Sequence, residues 1–498
     1  MIPTDSPMLL VHDLSFRYPG VGEERGKSVH DRLSLGVEAG GMTVLFGAAD
    51  EGKTTLARIV AGLVPRFTGG ALSGKVLLAG ADIRHSLPYE LMEDVGVVSQ
   101  DSDEQIFTTR CDTEIAFALE SLGVPRPQIV ERVEECLRRM GLSAFRDRNP
   151  STLSGGEKKR LLLACLSAIG PELWILDESL EELDQTWKAA TLDYLAETAR
   201  TVLTLDSRWS PLLAKRGTHF ALLSRGRTAC VAARADDASF HQILSVSGIL
   251  PRKKTRERPA EPAETYLRAE ALRFRFSGKE SFALSIESLE LAKGEICALV
   301  GSNGSGKTTL GRILCGLLAP QSGGVSLGGS AGFRPASTNE LNRAVGYLFQ
   351  NPDHQIYLPT VRDELALGLR RQGMSRSDID RRVEKAAELF ALPDASAPPA
   401  LMSYGARRRL QAATYYLLAR PLLILDEVDS GLSYREMESL LDALFAQAPG
   451  IVLITHDMSL ATALCDRILV LDGGRLTGDF RPAHYSAWEA LSNRETAS

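Results

Sequence analysis

Cysteine is scarce in this 498-residue chain: Cys111, Cys136, Cys165, Cys230, Cys297, Cys315 and Cys465 are odd in number and never spaced C-x-x-C. That pattern excludes a disulfide framework or a thiolate metal centre and points to a reducing compartment, the cytosol. Long apolar runs are missing too. No stretch approaches the ~18 residues needed to cross a bilayer, and the N-terminus lacks the charged-then-apolar order of a secretion signal. A soluble chain is expected, with any membrane role exerted through a partner. Basic excess is the third absence: 57 Lys and Arg face 63 Asp and Glu, for a net charge of −6, so no nucleic acid is expected. The histidines are dispersed, and His85, His219 and His241 show no ligand-like spacing. With 44% hydrophobic and 24% charged residues, the composition is that of a globular protein with room for several domains.

What the chain does have is a repeat. Leu14-Ser15-Phe16-Arg17-Tyr18 is echoed by Leu272-Arg273-Phe274-Arg275-Phe276, and Val95-Gly96-Val97-Val98-Ser99-Gln100 by Val345-Gly346-Tyr347-Leu348-Phe349-Gln350. Trp174-Ile175-Leu176-Asp177-Glu178 returns as Leu423-Ile424-Leu425-Asp426-Glu427, so the offset stays near 250 residues. One whole domain has been duplicated. The expected division is residues 1–250 and 265–498, joined by a Pro-rich, charged linker over 251–264 that reads as an exposed tether.

Each half carries G-x-x-x-x-G-K-[ST]. The first runs from Gly47 through Asp50, Glu51, Gly52 and Lys53 to Thr54; the second from Gly301 through Asn303, Gly304, Ser305, Gly306 and Lys307 to Thr308. Glycines let backbone N–H groups wrap a phosphate while Lys and Thr reach the terminal phosphates and Mg²⁺. The apolar runs Thr43–Phe46 and Ile296–Val300 precede these loops, and helically spaced residues follow. Strand, glycine loop and helix place the phosphate at a helix N-terminus. The runs ending in Asp177-Glu178 and Asp426-Glu427 are apolar throughout, as in parallel strands buried on both faces, and end where ligands bind in such sheets. The expectation is an α/β protein with two tandem P-loop nucleoside-triphosphatase domains.

Leu153-Ser154-Gly155-Gly156-Glu157 lies ahead of Asp177 at the spacing that separates Ser403 from Asp426. Between a phosphate loop and an Asp-Glu strand, this segment resembles the signature of the ATP-binding cassette (ABC) family. The resemblance implies a RecA-like core, a small antiparallel β part at the start of each half, and a helical insertion around residues 101–160. The segments Asp101–Phe107 and Asn351–Tyr357, with the helices beginning near Glu114 and Glu364, resemble more narrowly the ATPases of energy-coupling factor (ECF) importers. That likeness implies an energising subunit at the cytoplasmic face of the membrane, taking up a vitamin or transition metal. Its partners would be a polytopic transmembrane coupling protein and a small substrate-binding membrane subunit. The rival reading is a tandem ABC protein acting on ribosomes or DNA.

The family likeness further implies that the two cassettes pair head to tail within the chain, each ATP lying between one phosphate loop and the other signature. One site would join Asn303, Ser305, Lys307, Thr308 and Thr309 to Ser154, Gly155 and Gly156. Thr308 and Gln350 would ligate Mg²⁺, Asp426 would support it, Glu427 would polarise the attacking water, and His456 would hold the γ-phosphate. Tyr18 and Phe276 would stack on adenine. The other site would use Lys53, Thr54, Thr55, Gln100, Asp177 and Glu178 with Ser403. There Asp50 and Glu51 replace Gly304 and Ser305, Tyr404 replaces a signature glycine, and Ser433 stands where the other copy has Asp184. Alignment sets Asp206 against His456, and a carboxylate about 4 Å from the γ-phosphate would cost about 1–4 kcal/mol. The expectation is one hydrolytic site and one that binds ATP but turns over slowly.

Overall fold

The computed structural model describes residues 7–20, 26–48, 51–181, 183, 185–198, 200–251, 264–276, 283–329, 332–430, 432–447 and 449–484. It divides into two compact units, Met1–Leu250 and Pro251–Ser498. Most of the expected linker lies outside the described residues, as do Asp50 and Asp184.

In the first unit a six-stranded sheet runs in the order Arg227–Ala232, His219–Ser224, Met42–Gly47, Thr201–Asp206, Leu173–Asp177, Val95–Val98. All neighbours are parallel except the first pair. The central strands Met42–Gly47, Leu173–Asp177 and Thr201–Asp206 are buried at every position because both faces are covered. Val44, Phe46, Trp174 and Leu176 point into one buried cluster, which also holds the helices Cys111–Ser121, Arg126–Arg139 and Gly155–Ile169. Leu45, Leu173, Ile175 and Leu203 alternate to the other face, against the helix Lys53–Val60 and a four-stranded antiparallel sheet built on Pro7–Arg17. The period of two along a strand turns a uniform apolar run into two separate cores.

The second unit repeats this plan. Its six strands are ordered Val345–Leu348, Leu422–Asp426, Gly450–Ile454, Ile296–Val300, Arg467–Asp472, Arg475–Phe480, again parallel but for the outer pair. The antiparallel sheet is built on Thr265–Phe274, and the helices Val361–Arg371, Arg376–Leu389 and Tyr404–Leu418 form the counterpart of the helical insertion. In both units the phosphate loop, the Asp-Glu pair and the end of the next strand share the carboxyl edge of the sheet.

Candidate functional site

In the second unit the phosphate loop turns sharply into the helix Lys307–Leu314. Gly301 has φ +150°, and a Cβ there would come within 2.0 Å of the Leu471 carbonyl, so no other residue fits. Lys307 Nζ donates to the carbonyls of Gly301 at 2.9 Å and Ser302 at 3.0 Å, curling its ammonium back over the loop. Asn303 and Gly304 are exposed, whereas Ser305 is buried and its hydroxyl has no hydrogen-bond partner. Thr308 Oγ1 donates to Asp426 Oδ1 at 3.1 Å, and the Tyr347 hydroxyl donates to Asp426 Oδ2. Burial pushes the Asp426 carboxyl up from its ordinary range, with the Tyr347 hydrogen bond pulling against it.

Glu427 is the convergence point. It takes the left-handed conformation (φ +49°), uncommon for a residue with a side chain, and its N–H donates to Ile454 O at 3.0 Å. Gln350 Nε2 donates to Glu427 Oε2 at 2.6 Å, and His456 Nε2 lies 2.8 Å from Oε1. Burial alone would raise the Glu427 carboxyl. The His456 hydrogen bond and charge, with Lys307 and Arg408, outweigh it and hold the group below the ordinary glutamate range. A carboxylate kept ionised between an amide, an imidazole and an ammonium can orient and polarise a water molecule.

The first unit assembles the same parts to a different effect. Lys53 Nζ donates to Gly47 O at 2.7 Å and Ala48 O at 3.0 Å, and also pairs with Glu178 Oε1 at 3.2 Å. Gln100 Nε2 donates to Glu178 Oε2 at 2.8 Å, and Glu178 too is left-handed (φ +50°). Both Asp177 carboxylate oxygens are buried and neither makes a hydrogen bond of good geometry; burial pushes this carboxyl up to about 6 against the pull of the nearby Thr54 hydroxyl. The Tyr18 hydroxyl lies 3.3 Å from Thr55 Oγ1, tying the expected adenine platform to the phosphate-loop helix. Tyr18 also lines a cavity of about 580 Å³ with Arg17, Pro19, Gly20, Gly26, Gly70 and Ala71. Phe276 sits edge-on to Phe274 with centroids 4.9 Å apart. Glu51 accepts a hydrogen bond from the Arg225 N–H, so its carboxylate is engaged with the loop between two strands.

Strand register corrects one expectation. Asp177 lies opposite Leu205 and Asp426 opposite Ile454; Leu205 also lies opposite Leu45, and Ile454 opposite Leu299. Leu205 is therefore the counterpart of Ile454, Asp206 of Thr455, and Ser207 of His456. The first unit has a serine where the second has the switch histidine, not a carboxylate. Ser207 Oγ lies 3.5 Å from Glu181 Oε1, while Asp206 is buried in the strand end with its carboxyl pushed up to about 6 by that burial.

The signature segments open helices as expected. Ser154 caps Gly155–Ile169 in a reciprocal box: its hydroxyl donates to Glu157 Oε2 at 2.9 Å, and its N–H to the same oxygen at 2.7 Å. Ser403 caps Tyr404–Leu418 and accepts from the Ala406 N–H at 3.3 Å. Tyr347 and two buried cations, Lys159 and Arg408, five residues after the signature serines, also belong to these sites although they lie outside the motifs. Lys159 Nζ donates to the carbonyls of Ser99 at 2.8 Å and Gln100 at 2.5 Å, fixing the glutamine loop. Their identical offset was the available signal.

The residues present suit a magnesium nucleotide. Among the described residues no cluster of three or more His, Cys, Asp or Glu could hold a metal unaided. Mg²⁺ typically takes one or two carboxylates plus substrate phosphates, and a threonine hydroxyl beside a buried Asp at each loop meets that need. The orphaned oxygens of Asp177 and the Ser305 hydroxyl are buried polar atoms that such a ligand would satisfy.

A family model described as ABC transporter matches residues 30–181 and 284–430. A protein of Methanosarcina acetivorans, provisionally named an ABC transporter ATP-binding protein, is 31% identical, over 95% of this chain and 85% of its own. A Bacillus subtilis protein provisionally named the HMP/thiamine import ATP-binding protein YkoD is 29% identical over 97% of this chain and 93% of its own. Among solved structures, an archaeal ribosome recycling factor (aABCE1, in complex with the stalk protein aP1) matches with a TM-score of 0.67 at 19% identity. The match spans 97% of this chain and 92% of that one.

Proposed function

From the premise that this chain belongs to the ABC transporter family, as a tandem ATP-binding protein and an ATPase, we propose that it energises an importer of the energy-coupling factor class for a vitamin or transition metal. In this reading it works peripherally at the cytoplasmic face of the membrane with a polytopic coupling protein and a small substrate-binding subunit. The described residues include no helix long and apolar enough to cross a membrane, so transport requires such partners.

The observation that carries the reading is a matched pair of presented aromatics. Gln105 accepts from the Ser99 N–H at 2.7 Å and donates to Val97 O at 2.9 Å; Gln355 accepts from the Phe349 N–H at 3.0 Å and donates to Tyr347 O at 2.8 Å. Two residues further on, Glu114 receives the Phe107 and Thr108 N–H groups, and Glu364 those of Tyr357 and Leu358. Both units thus pin a short segment at each end and leave one ring, Phe107 or Tyr357, 75% exposed. Large aromatics held out to solvent in register suit insertion into a partner's apolar groove. The similarity to a protein named for HMP/thiamine import supports the same reading.

Within it, hydrolysis belongs to the site of Lys307 and Glu427. ATP would be held by the 301–308 loop and Thr309, with Phe276 on the adenine and Ser154, Gly155 and Gly156 of the first unit completing the site. Thr308, Gln350 and Asp426 would hold Mg²⁺, which would supply positive charge to the phosphates. Glu427 accepts hydrogen bonding from water, and His456 orients both Glu427 and the γ-phosphate. The other site, with Gly47, Gly52, Lys53, Thr54, Thr55, Gln100, Asp177, Glu178 and Ser403, binds ATP and turns over slowly. Ser207 leaves Glu178 without an imidazole, and Lys53 ties up its carboxylate.

Replacing Phe107 and Tyr357 together by Asp tests the importer role. Because both rings are exposed, stability should shift by no more than about 0.5 kcal/mol. Basal ATPase should be retained, while recovery of a polytopic membrane protein from detergent extracts is lost. Wild-type chain that sediments with ribosomes or nucleic acid and recovers no membrane partner would sink the proposal in favour of a non-transport tandem ATPase.

A further inference from the structure

Tyr404 departs from the glycine expected in a signature, and the simplest view treats it as damage. Its surroundings say otherwise. The Tyr404 hydroxyl donates to the backbone carbonyl of Gln350 at 3.0 Å. One helical turn on, Arg408 Nη2 donates to that same hydroxyl at 2.6 Å, with the guanidinium 4.9 Å from the Tyr404 ring centroid. Arg408 is fully buried; its Nη1 donates to Phe349 O at 2.7 Å and its Nη2 also to Glu427 O at 3.3 Å. Three backbone oxygens, at Phe349, Gln350 and Glu427, are therefore gathered by one tyrosine and one arginine. Two of those oxygens belong to Gln350 and Glu427, whose side chains meet at 2.6 Å to set the carboxylate, and the third to Phe349, the residue before Gln350.

The first unit shows what is special here. At the same offsets it has Gly155 and Lys159, and Lys159 is a point-like ammonium on the carbonyls of Ser99 and Gln100. A guanidinium offers a planar fork able to serve several acceptors at fixed angles, and the tyrosine hydroxyl both accepts from it and donates onward. Tyrosine in the second signature completes this network, which a glycine could not.

We infer that Tyr404 is a positioning residue for hydrolysis in its own unit, holding the glutamine loop and Glu427 in working register through Arg408. The inference rests on the reading of Glu427 and Gln350 as hydrolytic. It runs against the expectation that restoring a glycine repairs the protein.

The test uses the full-length chain and three variants, with kcat and KM for ATP, fluorescent-nucleotide affinity and thermal midpoint measured for each. Y404F removes only the hydroxyl and should lower kcat about 3- to 10-fold with KM, affinity and midpoint held, as expected when the loss of its two hydrogen bonds is felt in part at the transition state. Y404G should lower kcat at least as far. R408K, which keeps the charge but not the fork, should fall between wild type and Y404F or below. E427Q run in parallel separates the two ideas. If E427Q is inactive but Y404F and Y404G keep kcat within twofold, or Y404G raises it, the positioning role is refuted and the site reading stands. If E427Q remains active, the site reading itself fails. A Y404F defect confined to KM or to the thermal midpoint would equally refute positioning, leaving a binding or structural role.

Discussion

Glutamate-to-glutamine exchange at the two Asp-Glu strand ends should separate the two units sharply. Glu427 is held by Gln350 at 2.6 Å and His456 at 2.8 Å. The amide of E427Q has the same shape and keeps one oxygen for one of these partners. The local cost is then about one hydrogen bond, on the order of 1 kcal/mol, well within what a folded unit tolerates. The chemical cost is larger, because an amide cannot take up a proton from water. Loss of a positioned base is typically worth about 10²- to 10⁴-fold, or roughly 3–5 kcal/mol of barrier. The expected result is phosphate release reduced by at least ~100-fold with nucleotide affinity and thermal midpoint near wild type. Glu178 is held instead by Lys53 at 3.2 Å and Gln100 at 2.8 Å, with Ser207 where the histidine would stand. E178Q should therefore lower steady-state turnover by less than about threefold, under 1 kcal/mol of barrier. Comparable losses from the two exchanges would refute the assignment of hydrolysis to one site.

Two further outcomes follow from other residues. Ser154→Arg, in the first unit, should cut ATP turnover at least tenfold while leaving nucleotide binding by the second unit's loop intact; unchanged turnover would rule out a shared site. The capping loss itself accounts for only about 1 kcal/mol of stability. Asp206→Asn should stabilise the first unit in a pH-dependent way. Burial raises the Asp206 carboxyl from 3.8 to about 6, so the folded state favours its protonated form. The stability this contributes is full below pH ~4 and is lost as pH rises through ~6, and the neutral amide should recover on the order of 1–3 kcal/mol at pH 8. Denaturation midpoints at pH 5 and 8 would show it; a gain no larger at pH 8 than at pH 5 would contradict the burial argument.

Much of this protein was readable from residue order because its landmarks are sterically irreplaceable. The glycines of both phosphate loops, the paired Asp-Glu ends and the signature serines each mark a geometry that few other residues satisfy. Gly301, at φ +150° against the Leu471 carbonyl, is such a case. The switch position was not readable, since Thr201–Asp206 carries threonines and an aspartate where Gly450–Ile454 is apolar, so the two strands share no polar mark against a one-residue slip. Ladder partners alone aligned Ser207 with His456. Tyr347, Lys159 and Arg408 were also hidden, as each acts through contacts with backbone or carboxylate groups more than 50 residues away in sequence. Nothing in the immediate neighbourhood of a buried arginine announces which carbonyls it will meet.

The short segment between Gln350 and Leu358 is held at Gln350 O by the Tyr404 hydroxyl, at Gln355 by the strand and Gln411, and at Tyr357 and Leu358 by Glu364. A segment tied so closely behaves as a stiff lever rather than a tether. Its hydrogen bonds set the exposed Tyr357 ring at a fixed offset from Gln350, whose side chain meets the Glu427 carboxylate. The distance between chemistry and surface here is a handful of residues.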